Sequence, residues 1–452
     1  MYKICFLIAI IVQNFACIFG RTEEVCSLRV DTDFIKVKQP LMVVSDGKDY
    51  SLVSPEKNKG ESVINLTGDD KVILVCPGKG NQLLRMNKDI AVTTCKRNKL
   101  QTDDGRQIIK GTDQFSCKDE ITPLIENTGR SCGENSQSTI FNIEYLAESL
   151  DKTFKMLTIC HDVVNMNTIY STNTIKGKSV DARQKNVPRP AGFMEGNLKI
   201  LYNGGSPNEF YLKKNQIERF KKIFQTENVS SYVDLYYKYL SRGHLTPDAD
   251  EALSSWKVAT YMYINVAPQW QSINAGNWLK VENKVREAAS LSQDEFTIIT
   301  GTYGVMKLRI GQIEHEIYLH PDNKLRVPEQ FWKVVYHEKT QTAIVVITSN
   351  NPFTRIKLLC PDVCKDYNWS QDTFQSNKYF SRGYTYCCTY KSFQDAVPYV
   401  PSLTVQGTYT LPKKPPLSRF RSAIKTVVRD NVQEKWNQWN QWNQARKNKK
   451  TQ

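Results

Sequence analysis

Past its first 20 residues this chain has no unbroken apolar run of the about 18 residues that a membrane-spanning helix needs. No transmembrane span is expected there. Complete nucleotide and zinc signatures are missing too. The glycine-rich Cys76-Pro-Gly-Lys-Gly-Asn81 lacks the Gly-Lys-Ser/Thr ending and the helix start of a phosphate loop, so it reads as a turn after a strand. Cys360, Cys364, Cys387 and Cys388 include an adjacent pair and no partnered histidine, a spacing that suits disulfides better than zinc. The body also lacks a strong charge bias. Net charge is +15, but eleven Lys and Arg from Lys413 to Lys450 face only Asp430 and Glu434, so +9 of it sits in the tail. With Lys3 set aside, about +5 remains for the body, a weak argument for a polyanionic partner.

What is present points to export. Lys3, the apolar run Ile4 to Val12 and the small residues around Ala16 to Gly20 predict a signal peptide over 1–20. Its removal takes Cys5 and Cys17 and leaves ten of twelve cysteines, an even set suited to disulfides in an oxidising compartment. The sequons at Asn65, Asn228 and Asn368 agree with a secreted glycoprotein.

At 452 residues the chain has room for two domains or one large one. Residues 21–140 predict a small β-rich, disulfide-containing region, with strands at Phe34 to Val37, Leu41 to Val44, Tyr50 to Val53, Lys71 to Cys76 and Ile90 to Cys95. A second domain is expected over 141–400. In it, Ile143 to Leu157 reads as helix, Cys160 to Asn173 as a strand pair and Asn215 to Gln225 as helix. Strands follow at Phe296 to Ile299, Val305 to Ile310, Ile317 to Leu319, Phe331 to His337 and Ala343 to Thr348. Residues 401–452 read as a proline-containing linker and a basic tail with a threefold Trp-Asn-Gln repeat, able to contact anionic surfaces as an amphipathic helix or to stay disordered.

One stretch carries chemistry. In Tyr239-Leu-Ser-Arg-Gly-His244, Arg242 and His244 leave the same face of an extended strand, and Gly243 lets a ligand approach the backbone. Ala259 to Asn265 alternates like a second strand. Asn274-Ala-Gly-Asn-Trp-Leu-Lys-Val-Glu282 then enters a helix whose Trp278, Val281, Val285 and Ala288 recur at helical spacing.

Arg242-Gly-His244, Asn265-Val-Ala-Pro-Gln269 and Asn274 to Glu282, in that order, resemble the DNA/RNA non-specific endonuclease family, its arthropod secreted members especially. The resemblance covers roughly Cys160 to Pro401. It implies an α+β fold: a ββα-metal nuclease core in a mixed α/β domain. It also implies a secreted, metal-dependent endonuclease cutting DNA and RNA, double-stranded RNA included, with 5′-phosphate products. Mg²⁺ is the implied cofactor, with Mn²⁺ as a substitute.

The site residues carry over one by one. His244 is the general base, since a pKa near 6.5 suits deprotonation of water at neutral pH. Asn274 matches the family's direct metal ligand, with a helix N-cap as its ordinary alternative. Glu282 matches a helix glutamate. On a regular helix it lies about 12 Å along the axis and about 80° around from Asn274, so it orients metal-bound water or a nearby arginine, or else pairs with Arg286. Asn265 orients His244, binds phosphate or simply ends a β-ladder, and Arg242 grips the scissile phosphate with a bidentate fork or joins a structural ion pair. Arg183 or Arg189 is the family's upstream phosphate arginine. Ser241 stands where many bacterial members have aspartate, and faces away from Arg242 and His244 as framework. The competing reading is a catalytically silent protein on the same scaffold that binds nucleic acid or membrane.

Overall fold

Two runs read as buried strands, Val334-Val-Tyr336 and Ala343-Ile-Val-Val-Ile347, and they lie at the heart of the molecule. In this computed structural model they belong to Gln330–His337 and Thr342–Ser349, adjacent strands of a nine-stranded sheet. Residues 25–413 are described, except 46, 68–69, 85, 97–98, 104, 109–115, 135–136, 199–201, 203–205, 370–373 and 375–379. The expected signal peptide and the tryptophan tail lie outside the described residues.

The sheet runs antiparallel in sequence order through Leu124–Ser131, Ser138–Ala147, Lys152–Asp162, Asn167–Lys176, Glu295–Tyr303, Gln330–His337, Thr342–Ser349 and Thr385–Thr389. Both faces are covered, which is why its central strands lack a polar side. Phe331, Val335, Ile344 and Val346 join one core with the helix residues Trp278, Val281 and Val285. The alternate residues Trp332, Val334, Val345 and Ile347 pack with Phe393 and Val397 on the other face. Residues 177–294 are an excursion between two hydrogen-bonded neighbours, Asn167–Lys176 and Glu295–Tyr303, and the candidate site lies in it.

Several expectations need correction. Ile143 to Leu157 is a hairpin, Ser138–Ala147 with Lys152–Asp162, turning through Asp151 at φ 48°. Glu, Leu and Ala there favour helix, and sheet pairing on both sides overrides that preference. Phe34 to Val37 is irregular, and Ile317 to Leu319 follows the strand Ile313–Glu316. The sheet begins at Leu124, ahead of the boundary expected at 141. Pro401 onward does not start as a free linker, because Gly407–Thr408 adds parallel to Thr342–Ser349 and buries Tyr409 and Leu411.

The N-terminal region is β-rich as expected, with a six-stranded and a three-stranded sheet. All ten cysteines past the expected signal peptide are paired, as 26–95, 76–117, 132–160, 360–388 and 364–387. Among the described residues, one cluster of Cys, His, Asp and Glu has metal-site spacing, Asp362 with Cys364 and Cys387. Its thiols are spent in a disulfide.

Candidate active site

The strand Leu240–His244 pairs antiparallel with Val266–Trp270, placing Arg242 opposite Pro268 and His244 opposite Val266. The second strand therefore starts one residue after the run expected for it, and Tyr263–Asn265 is a short 3₁₀ turn. Its outer edge is closed by one side chain: Asn350 accepts from the Trp270 N–H at 3.1 Å and donates to the Pro268 carbonyl at 3.1 Å. Gly243 has a different role from the one expected. A Cβ there would lie 2.6 Å from Gln269, so the missing side chain makes room for the cross-strand partner, not for a ligand.

After Trp270 the chain makes the single turn Gln271–Ile273, a π-turn Asn274–Trp278 and the helix Leu279–Ser292. Gly276 breaks helical geometry at φ −99°, ψ −123°, and a Cβ on it would sit 2.7 Å from the Arg382 carbonyl. The regular-helix offset between Asn274 and Glu282 therefore does not apply, and Asn274 is not the N-cap of the long helix. Its Nδ2 donates to Ser241 Oγ at 3.1 Å, while Ser241 Oγ donates to the Gln269 carbonyl at 2.9 Å. With the serine proton committed, its lone pair takes the amide N–H, which fixes the amide and leaves Oδ1 uncommitted among the described residues. Ser241 is thus more than framework: it orients Asn274.

A cleft of ≈ 680 Å³ gathers the expected residues, with Arg242, His244, Asn274 and Glu282 all on its wall. The His244 ring lies between Phe193 and Tyr261, at centroid distances of 4.8 and 5.0 Å. Among the described residues its Nε2 is buried without a hydrogen-bond partner, so Nδ1 is the nitrogen open to the cleft. Burial pushes the imidazole down to about 4, with Asp248 opposing and Arg189 adding to the shift. It is neutral at physiological pH and able to accept a proton.

Arg242 makes no ion pair among the described residues. Its Nε donates to Tyr263 Oη at 2.9 Å and its Nη2 to the side-chain oxygen of Asn208, with the Tyr211 ring 5.1 Å from the guanidinium carbon. Two nitrogens are spent on holding the group, so Nη1 is left to meet a phosphate in place of the expected two-pronged fork.

Glu282 does not pair with Arg286, whose guanidinium goes to Asp250 at 2.7 Å and Asn283 at 2.8 Å. The Glu282 carboxyl faces the cleft, and burial raises its pKa to about 7 against the pull of Arg286 and Lys333. Asn265 does not face the cleft. Fully buried, it accepts from the Thr246 N–H at 3.1 Å and donates to the Thr246 and Thr260 carbonyls, both at 2.9 Å. It clamps the strand just past His244 and has no amide atom left for phosphate.

Of the two upstream arginines, Arg189 lines the cleft, whereas Arg183 donates to the Ala249 carbonyl at 2.6 Å. Sequence reasoning missed Asn208, Phe193, Tyr261 and Asp248. Only Asp248, four residues past His244, stood close enough in sequence to be suspected.

Residues 136–393, more than half of the chain, match the family described as DNA/RNA non-specific endonuclease. A salivary endonuclease of Lutzomyia longipalpis is 32% identical over 370 residues, 81% of this chain and 82% of that one. Salivary protein Tsal2A of Glossina morsitans morsitans is 26% identical over 83% of this chain and 92% of its own. A crystal structure of the EndoG/EndoGI complex matches 57% of this chain and 89% of its own at 15% identity with a TM-score of 0.35, too loose a likeness to argue from. Family match and relatives agree with the strand-strand-helix frame around the cleft: the chain belongs to the DNA/RNA non-specific endonuclease family and is a nuclease.

Proposed function

We propose that this nuclease is secreted, depends on one divalent cation, and cuts DNA and RNA, double-stranded RNA included, with little sequence preference, leaving 5′-phosphates. The observation that carries the reading is the convergence of His244, Arg242, Asn274 and Glu282 on one cleft wall. The five disulfides and the salivary relative support export.

The donor set fits a hard cation held by few protein groups. Asn274 Oδ1 is uncommitted and Glu282 has no hydrogen-bond partner among the described residues, so oxygen alone is on offer, as Mg²⁺ prefers and Mn²⁺ accepts. Asn274 would hold the ion directly and Glu282 would orient its waters. Such an ion supplies charge neutralisation at the phosphate and at the departing 3′-oxygen. His244 Nδ1 takes a proton from the attacking water. Arg242 and Arg189 bring positive charge to the phosphate oxygens. The P–O3′ bond breaks, leaving a 3′-hydroxyl and a 5′-phosphate. The phosphate contacts assigned here to Arg242 and Arg189 address the backbone, which agrees with cutting that ignores sequence.

Plasmid DNA and double-stranded RNA, incubated with the secreted protein, are expected to be cut with Mg²⁺ and spared in EDTA. The new ends should take label from polynucleotide kinase only after phosphatase treatment. Cleavage that persists in EDTA, or ends that label directly, would overturn the metal or the product assignment respectively.

The orienting bond gives a second expectation. Ser241→Ala frees the Asn274 amide to rotate, so the Mg²⁺ concentration for half-maximal cleavage should rise by about 10–100-fold. Mn²⁺ binding followed by electron paramagnetic resonance should weaken in parallel. Unchanged metal affinity would show that Ser241 does not set that amide.

A further inference from the structure

Next to the cleft is a short loop whose exposure contrasts with its rigidity. Tyr236 and Tyr237 are 75% and 82% exposed, yet the backbone beneath them is tightly fixed. Asp234 Oδ1 accepts the N–H groups of Tyr236, Tyr237 and Lys238 at 2.7, 2.6 and 3.1 Å, and the Asp234 N–H donates to the Lys238 carbonyl at 2.7 Å. One end is anchored by Tyr232, whose Oη donates to the Arg309 carbonyl at 2.7 Å and whose ring lies 5.1 Å from Phe353. The other end is pinned to the cleft wall. Lys213 Nζ donates to the Leu235 carbonyl at 2.9 Å and sits 3.7 Å over the Tyr239 ring, and both Lys213 and Tyr239 line the cleft.

Scattered single aromatics on a surface need no explanation. Two adjacent ones on a fixed turn, bordering a cleft and flanked by Lys213 and Lys238, are different. The one carboxylate within the turn, Asp234, is directed at backbone N–H groups, and the ammonium groups of Lys213 and Lys238 are held beside the turn by the Leu235 and Ser230 carbonyls. Aromatic faces beside cations suit stacked bases and a phosphate backbone, and stacking accepts any base. Because the loop ordering is already in place, binding loses little further freedom.

We propose that Tyr236 and Tyr237 form a stacking platform for unpaired nucleobases of the strand that leaves the cleft. The proposal rests on the nuclease reading of the cleft and adds to it the direction in which the strand exits.

The test compares wild type with Tyr236→Ala/Tyr237→Ala and Tyr236→Phe/Tyr237→Phe, in EDTA so that binding is read without cleavage. A fluorescein-labelled oligothymidylate longer than the cleft is the probe, followed by anisotropy. The alanine pair should raise its Kd by about 5- to 150-fold, while the phenylalanine pair stays within about twofold. Cleavage of a thymidine dinucleotide with Mg²⁺, a substrate too short to reach the loop, should be unchanged in the alanine pair. An unaltered oligothymidylate Kd would overturn the proposal. So would parallel loss of dinucleotide cleavage, since the loop would then be shaping the cleft. Loss of binding to phosphatidylserine vesicles with oligothymidylate binding intact would assign the patch to a membrane surface and overturn it as well. A wild type that binds the oligothymidylate through these tyrosines but cleaves nothing would support the platform and remove the nuclease reading instead.

Discussion

The His244→Ala variant is expected to cleave plasmid and double-stranded RNA about 10²–10⁴-fold more slowly in kcat, with its fold and its affinity for nucleic acid retained. The ring borders the cleft between Phe193 and Tyr261, so truncation opens space there without removing a hydrogen bond that the protein makes. The orphaned Nε2 argues for a function. A buried polar atom left without a partner costs stability, and here the other nitrogen is presented to the cleft. The pH profile offers a sharper check. A base works in its deprotonated form, present above its pKa. Burial holds the His244 pKa at about 4. With Mg²⁺ saturating, His244 should therefore cause no loss of kcat/KM until pH approaches that value, while Glu282, raised by burial to about 7, adds its own acid limb near neutrality. An ordinary histidine would lose activity from about 6.5. An acid limb near that ordinary value that persists in Glu282→Gln would mean the ring is better solvated than the cleft geometry implies. Full activity in the alanine variant would exclude it as the base.

Arg242→Ala should lower kcat by about 10²–10³-fold, the range seen when one preorganised donor to a developing anion is removed. Tyr263, Asn208 and the Tyr211 ring hold the guanidinium from one side, and no carboxylate neutralises it among the described residues. Its charge is thus available where negative charge builds on phosphate. Arg242→Lys should recover only part of the loss, because a lysine ammonium cannot bond Tyr263 and Asn208 in the same planar arrangement. The division between constants carries the information. A fall in kcat with KM nearly constant marks stabilisation confined to the transition state; a rise in KM alone would make Arg242 a ground-state anchor.

The sequence made the ββα frame readable because its parts are local: Arg242-Gly-His244 on one strand, Asn274 to Glu282 along one helical segment. The second strand was harder to locate. Ala259 to Asn265 alternates as a strand should, but the true partner Val266–Trp270 is buried at all five positions and contains Pro268, so it shows no alternation. Asn350 supplies the missing edge pairing from eighty residues away. The same distance hides Asn208, thirty-four residues before the arginine it holds. The Ser241 role stayed hidden because strand periodicity sends it to the far face, and only the π-turn brings Asn274 back to it.

The turn that bears Asn274 leans on a segment held by covalent bonds. Asn277 Nδ2 donates to the Gly383 carbonyl at 2.7 Å, Gly276 packs on Arg382, and the stretch from 360 to 388 is closed by two neighbouring disulfides. A copy of the chain kept among reducing thiols cannot tie that brace, so the turn that bears Asn274 is the part left unsupported. Reduction of the 360–388 and 364–387 disulfides is therefore expected to loosen the turn that bears Asn274 before it disturbs the central sheet.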